Sequence, residues 1–552
     1  MPSSIACWSG AIAKSIGRPL SAAHTVRHAS RLSRSLPCPR AGVTMIDAAS
    51  GRVKPRTPIF HRTNKMLSFN LAAALDHHAR ARPNHPAIVE GARVVTYGEL
   101  ANLVRGYAAW LIELGLKPGD IVGVALADTA IHLVALHALA RQGFIILPMD
   151  CRWTREEQSR LARAFGARLV LSEAGAPTLD GVATVSGHEL HSPPSDSGPA
   201  IFGDDETPLL LSLSSGTTGR PRGPLICHRH FKSRFANHWA SLTFNQHDRF
   251  LLATPLYFGG GRTFAMSYIF LGGTVVFRPP PVEPAELVDA VAQARITSLF
   301  LVPTQLRRLL ALPAPNGPLM PGLRVLVSSG SMLHAHERDA IMARLTPNCF
   351  EYYSSTEGGG ISILTPAEQR AKPGSVGRPA FLVDVEIADN NHRPLPPGEV
   401  GRIRYRGPGV AEGFHNDAEG SRDAFHRGWF YPGDLGRMDG DGYLYIVGRA
   451  KDMIIRGGVN IYPAEIEQTL LDHANVAEAA VVGWPAPELG EEVVAFVSAR
   501  DIDEAGLIAH CRARLAPYKV PKRIFMTDDM PKNAAGKIEK TKLAARLPRQ
   551  GG

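Results

Sequence analysis

The expected fold class is α/β: a large N-terminal domain of layered α/β subdomains plus a β-rich, barrel-like subdomain, followed by a small α+β C-terminal domain. Three observations carry this expectation. From about residue 68 to residue 345, helical stretches alternate with short apolar strands, the rhythm of βαβ units that build largely parallel sheets. After Gly374 the texture changes to short strands separated by Gly and Pro turns, as in a distorted barrel. The length, 552 residues, exceeds what one hydrophobic core organises, so at least two domains are expected.

Taken in order, residues 68–82 carry apolar side chains at helical spacing and read as an amphipathic helix. Residues 87–89 and 93–96 are apolar runs about a turn and read as a small hairpin. Helices are expected at 97–114, 131–141 and 156–164, interleaved with strands at 121–126, 143–147, 169–171 and 209–213. The same alternation returns as helix 285–294 with strand 298–301, then strand 325–328 with helix 336–345. Strands at 383–387, 401–405 and 442–447 make the β-rich part. A helix at 463–471, strands at 477–482 and 492–498, and a helix at 504–513 make the small C-terminal piece. The expected division is a basic tail 1–65, a large domain 66–447 and a small domain 448–552.

The net charge of +10 is not spread over the fold. Residues 1–65 hold eleven Lys and Arg against one acid, Asp47, which leaves 50 of the 61 basic and 50 of the 51 acidic side chains for the rest. A neutral body gives no compositional support for a nucleic-acid partner. The tail is rich in Ser, Arg and Ala, as transit peptides are. Disorder, or a start assigned upstream of Met45 or Met66, is the favoured reading. The expected location is therefore cytoplasmic, with the mitochondrial matrix as the alternative if the tail is a targeting segment. No apolar run reaches the roughly 18–20 residues that span a bilayer, so no membrane span is expected. Six scattered cysteines, with no CxxC pair, point away from a disulfide framework or a zinc site. Oligomeric state is not legible.

Chemistry concentrates in five segments. The first, LSLSSGTTGRPRG at 211–223, follows an apolar strand. Gly216 and Gly219 allow close backbone approach, while Ser214, Ser215, Thr217 and Thr218 add hydroxyls and Arg220 and Arg222 add positive charge. That set suits a polyphosphate. It is not a Walker A loop, because five residues after Gly216 Pro221 stands where the second glycine of G-x-x-x-x-G-K would be. The second, Tyr353-Ser-Ser-Thr-Glu357, combines an aromatic face, a hydroxyl and a carboxylate suited to a hard cation. The third runs from Trp429 to Asp434, whose carboxylate can accept from two vicinal hydroxyls. The fourth, 448–467, contains Arg449, Lys451 and the pair Gly457 and Gly458, which lets an extended ligand pass close to the backbone. Its Glu465 and Glu467 read as a solvated helix face. The fifth presents Lys537 after a glycine turn, where a cation can offset developing negative charge.

In this order the five strings resemble the signature segments of the adenylate-forming superfamily, which includes acyl-CoA synthetases, adenylation domains and firefly luciferase. The resemblance runs from about residue 66 to residue 545. It implies ATP-dependent activation of a small carboxylic acid to an acyl-adenylate, then thioester formation with coenzyme A, releasing AMP and pyrophosphate, with Mg²⁺ required. It implies Lys537, Thr356 and Glu357 as catalytic residues. Ser214, Ser215, Gly216, Thr217, Thr218, Gly219, Arg222, Tyr353, Asp434, Arg449, Gly457 and Gly458 are implied in binding the nucleotide and the thiol arm. Glu357 and Thr217 are implied at the metal, and Lys451 at a hinge about which the small domain turns. The segment PLYFGGG at 255–261 resembles the acyl-pocket segment, with Phe258 where many relatives carry His. Tyr257, Phe258 and Gly330 are the expected pocket residues. Gly358, Gly359 and Gly360 are expected to leave room for a medium-chain, alicyclic or aromatic acid, and Arg262 is expected on the surface. Three departures stand out: Arg222 for the usual Lys, Ser354 for Gly and Pro432 for Thr. Two alternatives stay open, an enzyme loading a separate acyl carrier protein and a nucleotide-binding homologue without catalysis.

Overall fold

The computed structural model describes residues 68–189, 198–213, 222–280, 282–313, 317–331, 333–532 and 537–548. The basic tail 1–65 and the loop residues Ser214, Ser215, Gly216, Thr217, Thr218 and Gly219 lie outside the described residues.

Local sequence explains the first elements. Thr96 and Glu99 form a reciprocal capping box that starts the helix Tyr97–Glu113, and Thr154 with Glu157 does the same for Arg155–Phe165. Gly166, with φ 67°, ends the latter in the left-handed region. The hairpin forms as expected, Pro86–Glu90 pairing antiparallel with Arg93–Thr96. The helix Ala130–Arg141 is buried along almost its whole length, which is why its sequence is apolar all round.

The alternating segments sort into two sheets. A six-stranded sheet runs in the order Ala183–Ser186, Leu169–Ser172, Ile121–Ala125, Ile145–Pro148, Pro208–Leu211, Leu225–Cys227, parallel except for its last pair. A nine-stranded sheet has a parallel centre: Cys349–Ser355, Val325–Ser328, Ser298–Leu301, Arg249–Leu252, Thr274–Phe277 and Pro86–Glu90. Gly359–Leu364 and Arg93–Thr96 flank that centre as antiparallel neighbours. Helices Tyr97–Glu113 and Ala130–Arg141 pack with strands of both sheets into one large core.

The β-rich part is an antiparallel sheet built on Asp384–Ala388, Gly401–Arg406, Asp434–Met438 and Leu444–Arg449. Beyond the short 3₁₀ turn Ala450–Asp452, the small C-terminal part is a five-stranded sheet with its own core. Its helices include Pro463–Leu471 and Glu504–Arg512. The fold is thus the expected α/β class, a large domain of sheets and helices with a smaller C-terminal one. Among the described residues, no helix is long and apolar enough to cross a membrane.

Candidate active site

Parallel sheets expose functional loops at the carboxyl ends of their strands. In the nine-stranded sheet, three strands end at residues singled out above and a fourth ends beside one of them. Arg249–Leu252 leads to Tyr257 and Phe258, and Val325–Ser328 leads to Gly330. Ser298–Leu301 leads to Val302, whose Cγ1 lies 3.5 Å from where a Gly330 Cβ would stand. Cys349–Ser355 carries Tyr353 and delivers Thr356 and Glu357. Ser329 Oγ and Ser354 Oγ, 3.2 Å apart, tie two of these ends together, so the serine in place of glycine gains a hydrogen bond there.

Tyr353, Asp434, Arg449 and Lys537 converge. Tyr353 Oη donates to Asp434 Oδ2 at 2.5 Å, and Arg449 Nε pairs with Asp434 Oδ1 at 2.7 Å. Arg449 also donates to Pro432 O at 3.2 Å. Asp434 and Arg449 sit opposite each other on paired strands, which fixes their approach. Burial holds the Asp434 carboxyl above its ordinary range, against the lowering effect of Arg449, Tyr353 and Lys537. Burial, then Arg449, pushes the Lys537 ammonium below the usual lysine value, and Asp434 opposes them. Lys537, from the C-terminal domain, therefore lies in the electrostatic field of two residues more than eighty positions earlier.

Glu357 joins this field. Its side chain is buried, and desolvation raises its pKa above the ordinary carboxylate range, with Arg234 and Arg449 opposing. Its backbone N–H and that of Gly358 donate to Ser355 Oγ, which lies 2.5 Å from Tyr405 Oη. A buried carboxylate short of compensating charge is a hard oxygen donor that fits Mg²⁺. Among the described residues no group of three or more His, Cys, Asp or Glu could hold a metal ion, so such an ion would depend on phosphate oxygens for the rest of its shell.

Arg234 was not legible as a site residue, and it organises this turn. Fully buried in helix His228–Leu242, it donates to Glu357 O at 2.7 Å, Gly409 O at 3.0 Å and Thr356 O at 3.4 Å. The sequence HRHFKSRFANHW offers no motif; only the missing polar partner for an arginine beside two buried phenylalanines hints at it.

Several expectations are corrected. Gly358, Gly359 and Gly360 do not open a pocket. A Cβ on them would stand 2.4 Å from Tyr405 Oη, 2.9 Å from Arg234 Cγ and 2.5 Å from Tyr352 Cε2 respectively. The glycines admit those side chains against the backbone. Gly260 likewise meets Phe300, at 2.4 Å, whereas a Cβ on Gly259 would meet nothing within 4 Å among the described residues. Arg262 is not on the surface: it is 1% exposed, because the helix Gly259–Leu271 turns that side inward. It donates to Tyr257 O at 2.8 Å and Leu256 O at 3.1 Å, its Nε has no hydrogen-bond partner among the described residues, and burial pulls its pKa down to about 9. Glu467 is not a solvated side chain either, since it accepts from Lys540 and from the N–H of Val481.

The remaining residues take these places. Tyr257 sits edge-on to Trp153, ring centroids 6.0 Å apart, with the Arg152 guanidinium 5.8 Å from its ring. Phe258 is the residue before helix Gly259–Leu271 and packs against the large core. Arg222 pairs with Asp417 at 2.7 Å. Lys451 is exposed on the 3₁₀ turn. Gly457 and Gly458, with φ 56° and 81°, form the two-residue turn of the hairpin Ile454–Arg456/Val459–Ile461, where positive φ at both positions suits glycine.

Fold and cluster together define a two-domain α/β enzyme whose C-terminal domain reaches into the site. The chain matches the AMP-binding enzyme family over residues 75–415 and the AMP-binding enzyme C-terminal domain over residues 465–537. A feruloyl-CoA synthase from an Amycolatopsis species is 33% identical, covering 85% of this chain and 97% of that enzyme. An indoleacetate–CoA ligase from Aromatoleum aromaticum is 32% identical over 85% of this chain and 96% of its own length. ATP-bound MatB from Rhodopseudomonas palustris superposes with a TM-score of 0.79 at 28% identity, over 86% of this chain and 98% of that one. The o-succinylbenzoate CoA synthetase of Bacillus subtilis, solved with its acyl-adenylate, gives 0.77 at 26% identity, over 88% and 99%. This chain belongs to the AMP-binding enzyme family.

Proposed function

We propose that the chain is an AMP-forming acid–CoA ligase that uses ATP, Mg²⁺ and coenzyme A, and that its acid is aromatic or otherwise apolar. The observation that carries this reading is the convergence of Tyr353, Asp434, Arg449 and Lys537, from segments spread over more than 180 residues, with Glu357 in the same field. Tyr353 offers its ring to adenine and Asp434 accepts from the ribose hydroxyls. In the first step the acid's carboxylate, already ionised at neutral pH, attacks the α-phosphorus and pyrophosphate leaves. No general base is needed, so the site works by alignment and charge neutralisation. Lys537 offsets the charge between carboxylate and α-phosphate, and Thr356 donates its hydroxyl to the α-phosphate. Mg²⁺ held by Glu357, with Thr217 and the loop Ser214, Ser215, Gly216, Thr218, Gly219 and Arg222, would neutralise the departing pyrophosphate.

In the second step the small domain, 448–552, turns about Lys451 and brings Gly457 and Gly458 to the adenylate. The thiolate sulfur then bonds to the acyl carbon as the acyl–phosphate C–O bond breaks and AMP leaves. Two productive domain orientations of this kind need no change within either core. An aromatic acid is favoured by the names of the relatives, by Tyr257 and Phe258 just before Gly259 in the chain, and by Phe300 against Gly260. The test is a panel of carboxylic acids assayed for CoA-dependent AMP release. Aromatic acids should give the highest kcat/KM; AMP release with a phosphopantetheinyl carrier but not with free coenzyme A would overturn the choice of acceptor.

A further inference from the structure

Helix Pro463–Leu471 touches both the segment that follows Lys537 and the large domain. On one side, Glu467 Oε1 accepts from Lys540 Nζ at 2.6 Å and from the Val481 N–H at 2.7 Å. Lys540 lies three residues beyond Lys537 and opens the short helix Lys540–Ala544, anchored by the fully buried Leu543. The other flank of the loop is held in the same way, because Lys532 pairs with Glu478 and a bridge joins Lys532 to Ile538.

The neighbouring residue, Gln468, reaches across to the large domain. Its Oε1 is in hydrogen-bond contact with His334 Nδ1, while its Nε2 donates to Asp472 Oδ1 at 2.7 Å. His334 is itself fixed. Its backbone N–H donates to Glu337 Oε2 at 2.8 Å, and Glu337 is gripped by Arg307 at 2.5 and 3.2 Å. Burial holds the imidazole pKa below its ordinary value, so the ring is neutral and its Nδ1–H is the donor. Both ends of this contact are thus oriented by further hydrogen bonds, and a single neutral hydrogen bond is weak enough to break in every turnover.

We propose that His334, Gln468 and Glu467 are positioning residues for adenylation: the His334–Gln468 hydrogen bond selects the domain orientation that places Lys537 beside Asp434, and the Glu467–Lys540 ion pair carries that orientation into the Lys537 loop. The proposal rests on the ligase reading above and adds to it what holds the first of its two domain orientations. It separates the two half-reactions, because the catch serves only the step that uses Lys537.

The test uses the full chain with His334→Ala, Gln468→Ala and Glu467→Gln. Acid-dependent ATP–pyrophosphate exchange is measured beside thioester formation from a supplied acyl-adenylate. Each variant should lower exchange by about tenfold or more, the effect of losing one oriented contact in the transition state, and leave thioester formation at or above the unmodified rate. His334→Asn, whose amide N–H replaces Nδ1–H, and Gln468→Glu, which keeps an acceptor, should retain exchange. Unchanged exchange in His334→Ala and Gln468→Ala would overturn the proposal. So would an equal fall in both half-reactions that the conservative variants fail to rescue. If the unmodified chain showed no acid-dependent exchange with any acid, the ligase reading would fall first and this proposal with it.

Discussion

Replacing Arg234 with methionine, which keeps the length of the side chain and removes the guanidinium, should slow adenylation by about ten- to a hundredfold. The guanidinium donates to three carbonyls, at 2.7, 3.0 and 3.4 Å. Glu357 O keeps a second donor, the N–H of Ala411 at 2.9 Å, and the 3.4 Å contact is weak. The uncompensated loss is therefore Gly409 O in full and Glu357 O in part. A hydrogen bond from a charged donor contributes about 1.5–3 kcal/mol, and the full and the partial loss together, less the relief of no longer burying a cation, come to roughly the same range. At about 1.4 kcal/mol per decade, that gives the stated fall if the energy appears as misplacement of Thr356 and Glu357. The assay is ATP–pyrophosphate exchange across a Mg²⁺ titration, with a thermal melt alongside. The half-saturating Mg²⁺ concentration should rise together with the loss of rate, and thioester formation from a supplied adenylate should be spared. Exchange within about twofold of the unmodified chain at every Mg²⁺ concentration would refute the reasoning, given the energy at stake.

Lys537→Ala should reduce exchange by about two orders of magnitude or more, as loss of a preorganised charge does, and spare thioester formation. Equal losses in the two assays would mean that Lys537 has another role. Because burial lowers the Lys537 pKa, its proton is lost, and exchange kcat/KM falls, at a pH below that of an ordinary lysine as pH rises; Lys537→Arg should remove this alkaline limb. Because burial raises the Asp434 pKa, its charge is lost as pH falls through a value above the ordinary aspartate range, and ATP affinity should drop there. Asp434→Asn should flatten that acid limb and raise the KM for ATP by about tenfold, the worth of one charged hydrogen bond. Gly358→Ala should displace Tyr405, 2.4 Å from the new Cβ, and lower both the melting temperature and exchange. An unchanged melt would show that Tyr405 moves aside freely.

The elements and the polar ends of the site were legible because both are local. The helix at 97–114, the hairpin of 87–89 with 93–96 and the Lys537 string are each carried by residues close together in the chain. What was not legible depends on pairing across distance. The alternation of helix and strand does not tell that Pro86–Glu90 pairs with Thr274–Phe277, and so it could not divide the strands into a nine- and a six-stranded sheet. Arg234 acts on backbone carbonyls more than a hundred residues away, which leaves no trace in its own neighbourhood. Arg262 misled for a related reason: an arginine after three glycines looks solvated until the packing of Phe264, Ala265 and Met266 shows which side of the helix faces inward. The triplet 358–360 misled because a glycine marks close approach without saying by whom.

That last point bears on any attempt to redesign substrate scope. The triplet is a keyhole already occupied by Tyr405, Arg234 and Tyr352, so widening the cavity there has no spare volume to work with, and single enlargements collide with residues that hold the catalytic turn. Useful changes at 358–360 must come as matched pairs, such as Gly360→Ala with a smaller residue at Tyr352, while Gly259, where an added Cβ would meet nothing within 4 Å among the described residues, can take a single substitution beside Tyr257 and Phe258.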